Sequence, residues 1–321
     1  SLASYYTLTP SGAQGITAGD SISYLVTARD QFGNGIGNSG SLNLFHPGSV
    51  TAGFSPGPYE FGGLDTLSFR VSDTLAGSFT VRVENTGNSA VLGQSGLITV
   101  DPGDVDSLLL LSSSDSINVG GERLLQYALE DIYGNRLSDS TVTFTRFQGN
   151  GLFSNGTLTL DTLTDNSGVA SALYTASDTL AFPVDRIRIH YGSGVVEDTL
   201  DLPLRSSLVS YYTLTPSGAQ GITAGDSISY LVTARDQFGN GIGNSGSLNL
   251  FHPGSSTAGF SPGPYSFGGL DTLSFRVSDT LAGSFTVRVE NTGNSAVLGQ
   301  SGLITVLADT LNYITIRTAS N

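Results

Sequence analysis

Cysteine, methionine, tryptophan and lysine are all missing from the 321 residues. Without Cys no disulfide framework holds the chain and extracellular folding needs no oxidative machinery. Without Lys the Lys–Asn isopeptide cross-links that brace some surface pilins are chemically impossible, so mechanical strength must come from strand hydrogen bonding and core packing. Basic charge is scarce: 13 Arg stand against 27 acidic residues, for a net charge of −14. Scattered Arg make no phosphate-binding stripe, so nucleic acid and anionic membrane are poor partners. There is no apolar run of membrane-spanning length, no signal peptide and no anchoring tail, and the chain reads as a piece of something longer.

Catalytic groups are equally thin. The only histidines are His46, His190 and His252, and two of them occupy the same place in repeated copies of Leu-Phe-His-Pro-Gly, which is turn chemistry. With no Cys and no paired His, zinc lacks ligands. No nucleophile-elbow sequence and no dinucleotide-binding glycine motif is present. Expected catalytic residues are therefore none, and the protein is expected not to be an enzyme.

What the chain does contain is itself. Residues 1–100 return as residues 207–306 with differences only at Ala3/Val209, Val50/Ser256 and Glu60/Ser266, so 97 of 100 positions are identical. Residues 107–206 lie on residues 6–105 at an offset of 101, bringing Asp30, Phe32, Gly33 and Asn34 onto Asp131, Tyr133, Gly134 and Asn135. The expected modules are 1–100, a divergent copy at 101–206, a near-identical copy at 207–306, and 307–321 as the first strand of a following repeat or a strand donated to a neighbour. A tandem array gains reach with every copy, which suits a spacer better than an enzyme. Charge is uneven: residues 101–206 hold 15 acids against six Arg, whereas residues 1–100 hold six against three.

Hydrophobic residues make up 38% of the chain, enough for modest cores in modules of this size. Apolar positions alternate with period two. Ile22, Tyr24, Val26 and Ala28 share one face, as do Leu67, Phe69 and Val71, and residues 78–84 place Phe79, Val81 and Val83 together. No stretch has helical period. Short strands divided by Gly, Asn, Pro and Asp turns predict an all-β fold of tandem immunoglobulin-like antiparallel β-sandwiches, arranged end to end as an extended rod.

The middle module carries Ala128-Leu129-Glu130-Asp131-Ile132-Tyr133-Gly134-Asn135, then Val142-Thr143-Phe144, then Gly149-Asn150-Gly151-Leu152-Phe153-Ser154, then Thr164-Asp165-Asn166-Ser167-Gly168-Val169-Ala170. In this it resembles the bacterial Ig-like (Big) repeats of invasin and intimin type surface proteins. The resemblance covers most of residues 107–206; in the flanking modules only Ala28-Arg29-Asp30-Gln31-Phe32-Gly33-Asn34 is similar. It implies one link of an extracellular or cell-surface rod that spaces a terminal binding domain from the cell, with no shared catalytic residues to carry over.

Three groups of residues are candidates for more than architecture. Asp30, Asp131 and Asp236 open an Asp-x-aromatic-Gly-Asn element that reads as a turn, with the aromatic ring plugging the end of its sandwich; the sharper reading makes these carboxylates cation ligands. Asp101, Asp104 and Asp106 surround Pro102 and Gly103 at the first module boundary and are either a hydrated acidic linker or a calcium clamp. Tyr6 and Tyr59, with Tyr212 and Tyr265 in the third module, either belong to core and edge packing or face a sugar ligand by stacking. The expected function is a structural spacer, stalk or filament shaft in adhesion or matrix. Expected partners are neighbouring repeats and other copies of the protein. A glycan-binding array and a filament subunit assembled by strand addition are the alternatives.

Overall fold

The computed structural model describes residues 3–37, 40–243 and 246–310. Among these residues every regular element is a strand. In the first module Tyr5–Thr9, Ser21–Arg29, Thr66–Ser72 and Gly53–Ser55 form one sheet in that order. The other face is built from two three-stranded pieces. One is Gln14–Thr17, Ile98–Asp101 and Gly77–Phe79; the other is Leu42–Phe45, Arg82–Asn85 and Asn88–Gln94. The middle module joins its second face into one five-stranded sheet, in which Val184–Tyr191 lies between Thr141–Gln148 and Val196–Arg205.

Period-two alternation explains the cores. Tyr24, Val26 and Ala28 of one strand and Phe69 and Val71 of its neighbour point inward and are buried, with Ile22 and Leu67 packed against them half-buried. Each enclosed side chain of this kind contributes on the order of 1.5–3 kcal/mol by leaving water. Three separate apolar clusters result, one per module, the second around Tyr127, Phe144 and Ile187 and the third repeating the first.

One expectation needs correction. Residues 78–84 are not one strand: Gly77–Phe79 pairs with Ile98–Asp101, while Arg82–Asn85 pairs with Leu42–Phe45. The inward alternation of Phe79, Val81 and Val83 survives the break, because at Val81 the ladder partner is replaced by Ser95, whose hydroxyl accepts from the Val81 amide at 2.9 Å. The sandwiches are antiparallel as expected, with a parallel pair added in each. Each module has one parallel pair, Gln14–Thr17 with Ile98–Asp101, Ile117–Asn118 with the end of Val196–Arg205, and Gln220–Thr223 with Ile304–Leu307. The assignment of residues 307–321 to a further strand lies outside the described residues beyond residue 310.

Candidate functional site at the module joints

Each module presents the same turn where its third strand ends. Asp30 Oδ1 accepts from the Phe32 and Asn34 amides, both at 2.9 Å, and the Asn34 side chain donates back to Oδ2 at 3.1 Å. Asp131 does the same with Tyr133 and Asn135 at 2.8 and 2.9 Å, and Asp236 with Phe238 and Asn240 at 3.0 and 2.9 Å. A short carboxylate two residues before the turn's tip is the group that can reach these amides. The Asn34 side chain, followed by the turn amides, holds the Asp30 carboxyl below its usual range. Burial works to raise Asp131, but the Asn135 side chain and the amides of Gly103, Asn135 and Tyr133 outweigh it and the carboxyl is lowered.

In the second and third modules the turn does a second job. The Asn135 side chain donates to the Thr74 carbonyl at 2.8 Å and accepts from the Ala76 amide at 2.7 Å, clasping a loop of the preceding module that crosses from one sheet to the other. Asn240 treats the preceding Asp178 carbonyl and Leu180 amide in the same way, at 2.8 and 3.1 Å. The boundary segment is tied in as well: the Gly103 amide donates to Asp131 Oδ2 at 2.8 Å and the Ser207 amide to Asp236 Oδ2 at 3.3 Å. A two-pronged amide satisfies both a carbonyl and an N–H of one loop, which fixes orientation as well as distance.

The aromatic residue of the turn completes the contact. Tyr133 lies over Gly19 so closely that a Cβ there would come within 2.9 Å of its ring, and Phe238 covers Gly120 more closely still. Both glycines also have positive φ, +88° and +66°, so their residue type is required by the backbone and by the close approach together. The expectation that this ring plugs its own sandwich is corrected: Phe32, with no module in front of it among the described residues, is 79% exposed, against 50% for Tyr133 and 42% for Phe238. The ring belongs to the joint.

The loop that receives the turn is braced from inside. Buried Asp73 accepts from the hydroxyls of Ser49 and Thr51, each at 2.6 Å, and from the Leu75 amide at 3.0 Å. Burial opposes its charge, yet these donors hold its carboxyl below the usual range; its counterpart Asp279 is held at about 2 for the same reasons. In the middle module Asp185 takes over, accepting from Tyr174, from the Ser177 amide and from the Ser177 hydroxyl. A groove of about 790 Å³ at the second joint is lined by Glu122, Asn150, Leu152, Asp178 and Phe238, and is open to solvent.

The other sequence candidates fall elsewhere. Asp101 ends one strand, Asp104 sits in the boundary turn and Asp106 lies in the next strand; all three are exposed. Among the described residues no three acidic or histidine side chains gather in a manner that would hold a metal ion. Tyr6 and Tyr212 are corrected from ligand-facing to core: each is 3% exposed and stacks at 5.7 Å on Phe61 or Phe267. Their period-two position turns them inward, leaving Tyr5 and Tyr211 outside. Tyr59 and Tyr265 are half-buried, edge-on to Phe69 and Phe275 at 6.3 Å. Each histidine Nδ1 donates to a nearby turn carbonyl, of Ser49, Gly192 and Ser255. The role of Asn135 and Asn240 was not readable from the sequence, since a Gly-Asn pair is ordinary turn composition; the signal available was the recurrence of the whole element at each module start.

The fold is thus an all-β tandem of immunoglobulin-like sandwiches joined end to end. No family model and no curated protein sequence matches the chain. Among solved structures it is similar to the Escherichia coli adhesin FdeC, at 18% identity and TM-score 0.52, covering 94% of this chain and 96% of that one. It also resembles invasin, a bacterial integrin-binding protein, at 15% identity and TM-score 0.45, over 94% of this chain and 60% of that one. InvD of Yersinia pseudotuberculosis matches at 16% identity and TM-score 0.44, over 93% and 97%. The likeness to FdeC is one of fold, and it agrees with the invasin-type resemblance read from residues 107–206.

Proposed function

We propose that the chain is a non-catalytic spacer or stalk segment of an extracellular bacterial surface protein, whose partners are its own neighbouring repeats. The observation that carries this reading is the use of the Asp-x-aromatic-Gly-Asn turn. In the second and third modules its Asn and its ring are spent on the module in front, at Thr74, Ala76 and Gly19 and at Asp178, Leu180 and Gly120. Side chains committed to joining modules resist bending, which is what a stalk requires and a catalytic domain does not. The adhesin likeness supports the surface setting.

Small-angle scattering tests the proposal on the whole chain. Three sandwiches in line extend on the order of 100 Å, given strands of roughly 20 Å plus loops. An extended particle that becomes flexible when Asn135 and Asn240 are both changed to Ala is the expected result. A compact particle overturns the reading.

A further inference from the structure

Both ends of the described structure carry half a joint. At one end the turn at residues 30–34 has the same sequence as residues 236–240 and the same internal hydrogen bonds, yet Asn34 and Phe32 are exposed where Asn240 and Phe238 are half-covered. Asn34 Oδ1, the atom whose counterparts in Asn135 and Asn240 accept from a loop amide, has no partner among the described residues. At the other end the loop at residues 279–283 repeats the one at 73–77, braced by Asp279 through Ser255 and Thr257. Ala282 is exposed there, whereas Ala76 is half-covered. A Cβ on Gly225 would meet nothing within 4 Å, whereas one on Gly19, in the same sequence context, would strike Tyr133.

We infer that these two surfaces are docking faces for further repeats of this kind set in line. The turn at residues 30–34 takes a preceding module through its inter-sheet loop and positive-φ glycine, and the Gly225 and Ala282 face takes a following module through its Asp-x-aromatic-Gly-Asn turn. The inference rests on the spacer reading and adds to it a partner and a rule of assembly. The rule is permissive as to module type: loop residues 74–76, Thr-Leu-Ala, and 178–180, Asp-Thr-Leu, are received equally, because the asparagine reads backbone C=O and N–H and no side chain. The ring needs only a glycine beneath it. A side chain added at that glycine, or loss of either prong of the amide, would close a face to its neighbour.

The test compares the present chain with a four-module chain in which a second copy of residues 107–206 precedes residue 1, so that Ser206 meets Ser1 as it meets Ser207. Amide exchange by NMR on segmentally labelled chains compares residues 30–34 with 236–240, whose sequences and intrinsic rates are the same. In the present chain the first set exchanges faster, by about tenfold or more, as expected for an uncovered turn; in the four-module chain the difference closes. Phe32→Ala, which spares the turn's hydrogen bonds, leaves scattering of the present chain unchanged but loosens the four-module chain. An exchange difference that persists in a folded four-module chain overturns the inference. A compact three-module particle would instead overturn the spacer reading, whatever the exchange shows.

Discussion

Asn135 and Thr74 belong to different modules, and the side-chain amide of the first donates to the carbonyl of the second at 2.8 Å. The same amide group accepts from Ala76 at 2.7 Å and, through its nitrogen, contacts Asp131 at 2.8 Å. A single residue therefore ties the start of one sandwich to the end of another while holding its own turn closed. Asn135→Ala is expected to uncouple the first two modules. Each lost neutral hydrogen bond is worth about 1 kcal/mol, and calorimetry together with scattering will show a lower coupling between modules and a more flexible particle.

Gly19 and Gly225 occupy the same place in near-identical modules, with φ of +88° and +93°. Substitution of either by Ala meets the same backbone strain, of order 1–3 kcal/mol. Only Gly19→Ala also forces Tyr133 away. The expected outcome is similar loss of module stability for both variants and increased bending for Gly19→Ala alone, read by scattering.

Tyr24 and Tyr127 both point inward from the third strands of their modules, and their hydroxyls differ. Tyr127 donates to Asp198 at 2.9 Å, whereas the buried Tyr24 hydroxyl has only the nearby Ser95 hydroxyl and no hydrogen bond of ordinary geometry. Tyr127→Phe is expected to destabilise its module by about 1–2 kcal/mol, because a half-buried carboxylate loses its donor. Tyr24→Phe keeps the ring stack on Phe69 and removes an unsatisfied group, so denaturant unfolding of that module is expected to be unchanged or slightly improved.

Acid should weaken these loops and the joints together. Asp73, Asp131 and Asp279 all have lowered pKa values in the folded chain, Asp279 at about 2. A carboxyl lowered on folding stabilises the fold above its unfolded value near 3.9, and that contribution disappears as pH falls through the folded value. The chain is expected to be indifferent to pH between about 5 and 7 and to lose stability progressively from about pH 4 toward pH 2, followed by circular dichroism. Asp131→Asn should remove part of that dependence from the first joint.

Calcium has a direct test at the first boundary. Both oxygens of Asp131 are filled by N–H donors of the protein, so scattering is expected to be the same with calcium and with excess chelator. A rod that loosens in chelator would assign Asp101, Asp104 and Asp106 to a clamp.

Much of the fold was legible in one dimension. Strict period two in Ser21–Arg29 and Thr66–Ser72 declares which side chains face inward, and the 97 of 100 identities declare the tandem. The strand break at Val81 was not legible, because burial alternates straight through it while a side chain, Ser95, replaces the ladder. Tyr6 against Tyr5 was undecided for a related reason: adjacent rings have opposite faces, and only the pairing of Tyr5–Thr9 with Ser21–Arg29 sets which one is inside.

The joint shows the same division. Local chemistry makes Asp-x-aromatic-Gly-Asn a closed turn wherever it occurs, since a short carboxylate, a glycine and an asparagine satisfy one another within five residues. What the turn is for depends on atoms far away in the chain: the Thr74 carbonyl, the Ala76 amide and the bare face of Gly19 come to it only once two sandwiches have folded and met. Hydrogen-bond distance and ring contact are properties of that meeting, so the residue types could be read from the sequence, and their partners only from the tertiary structure.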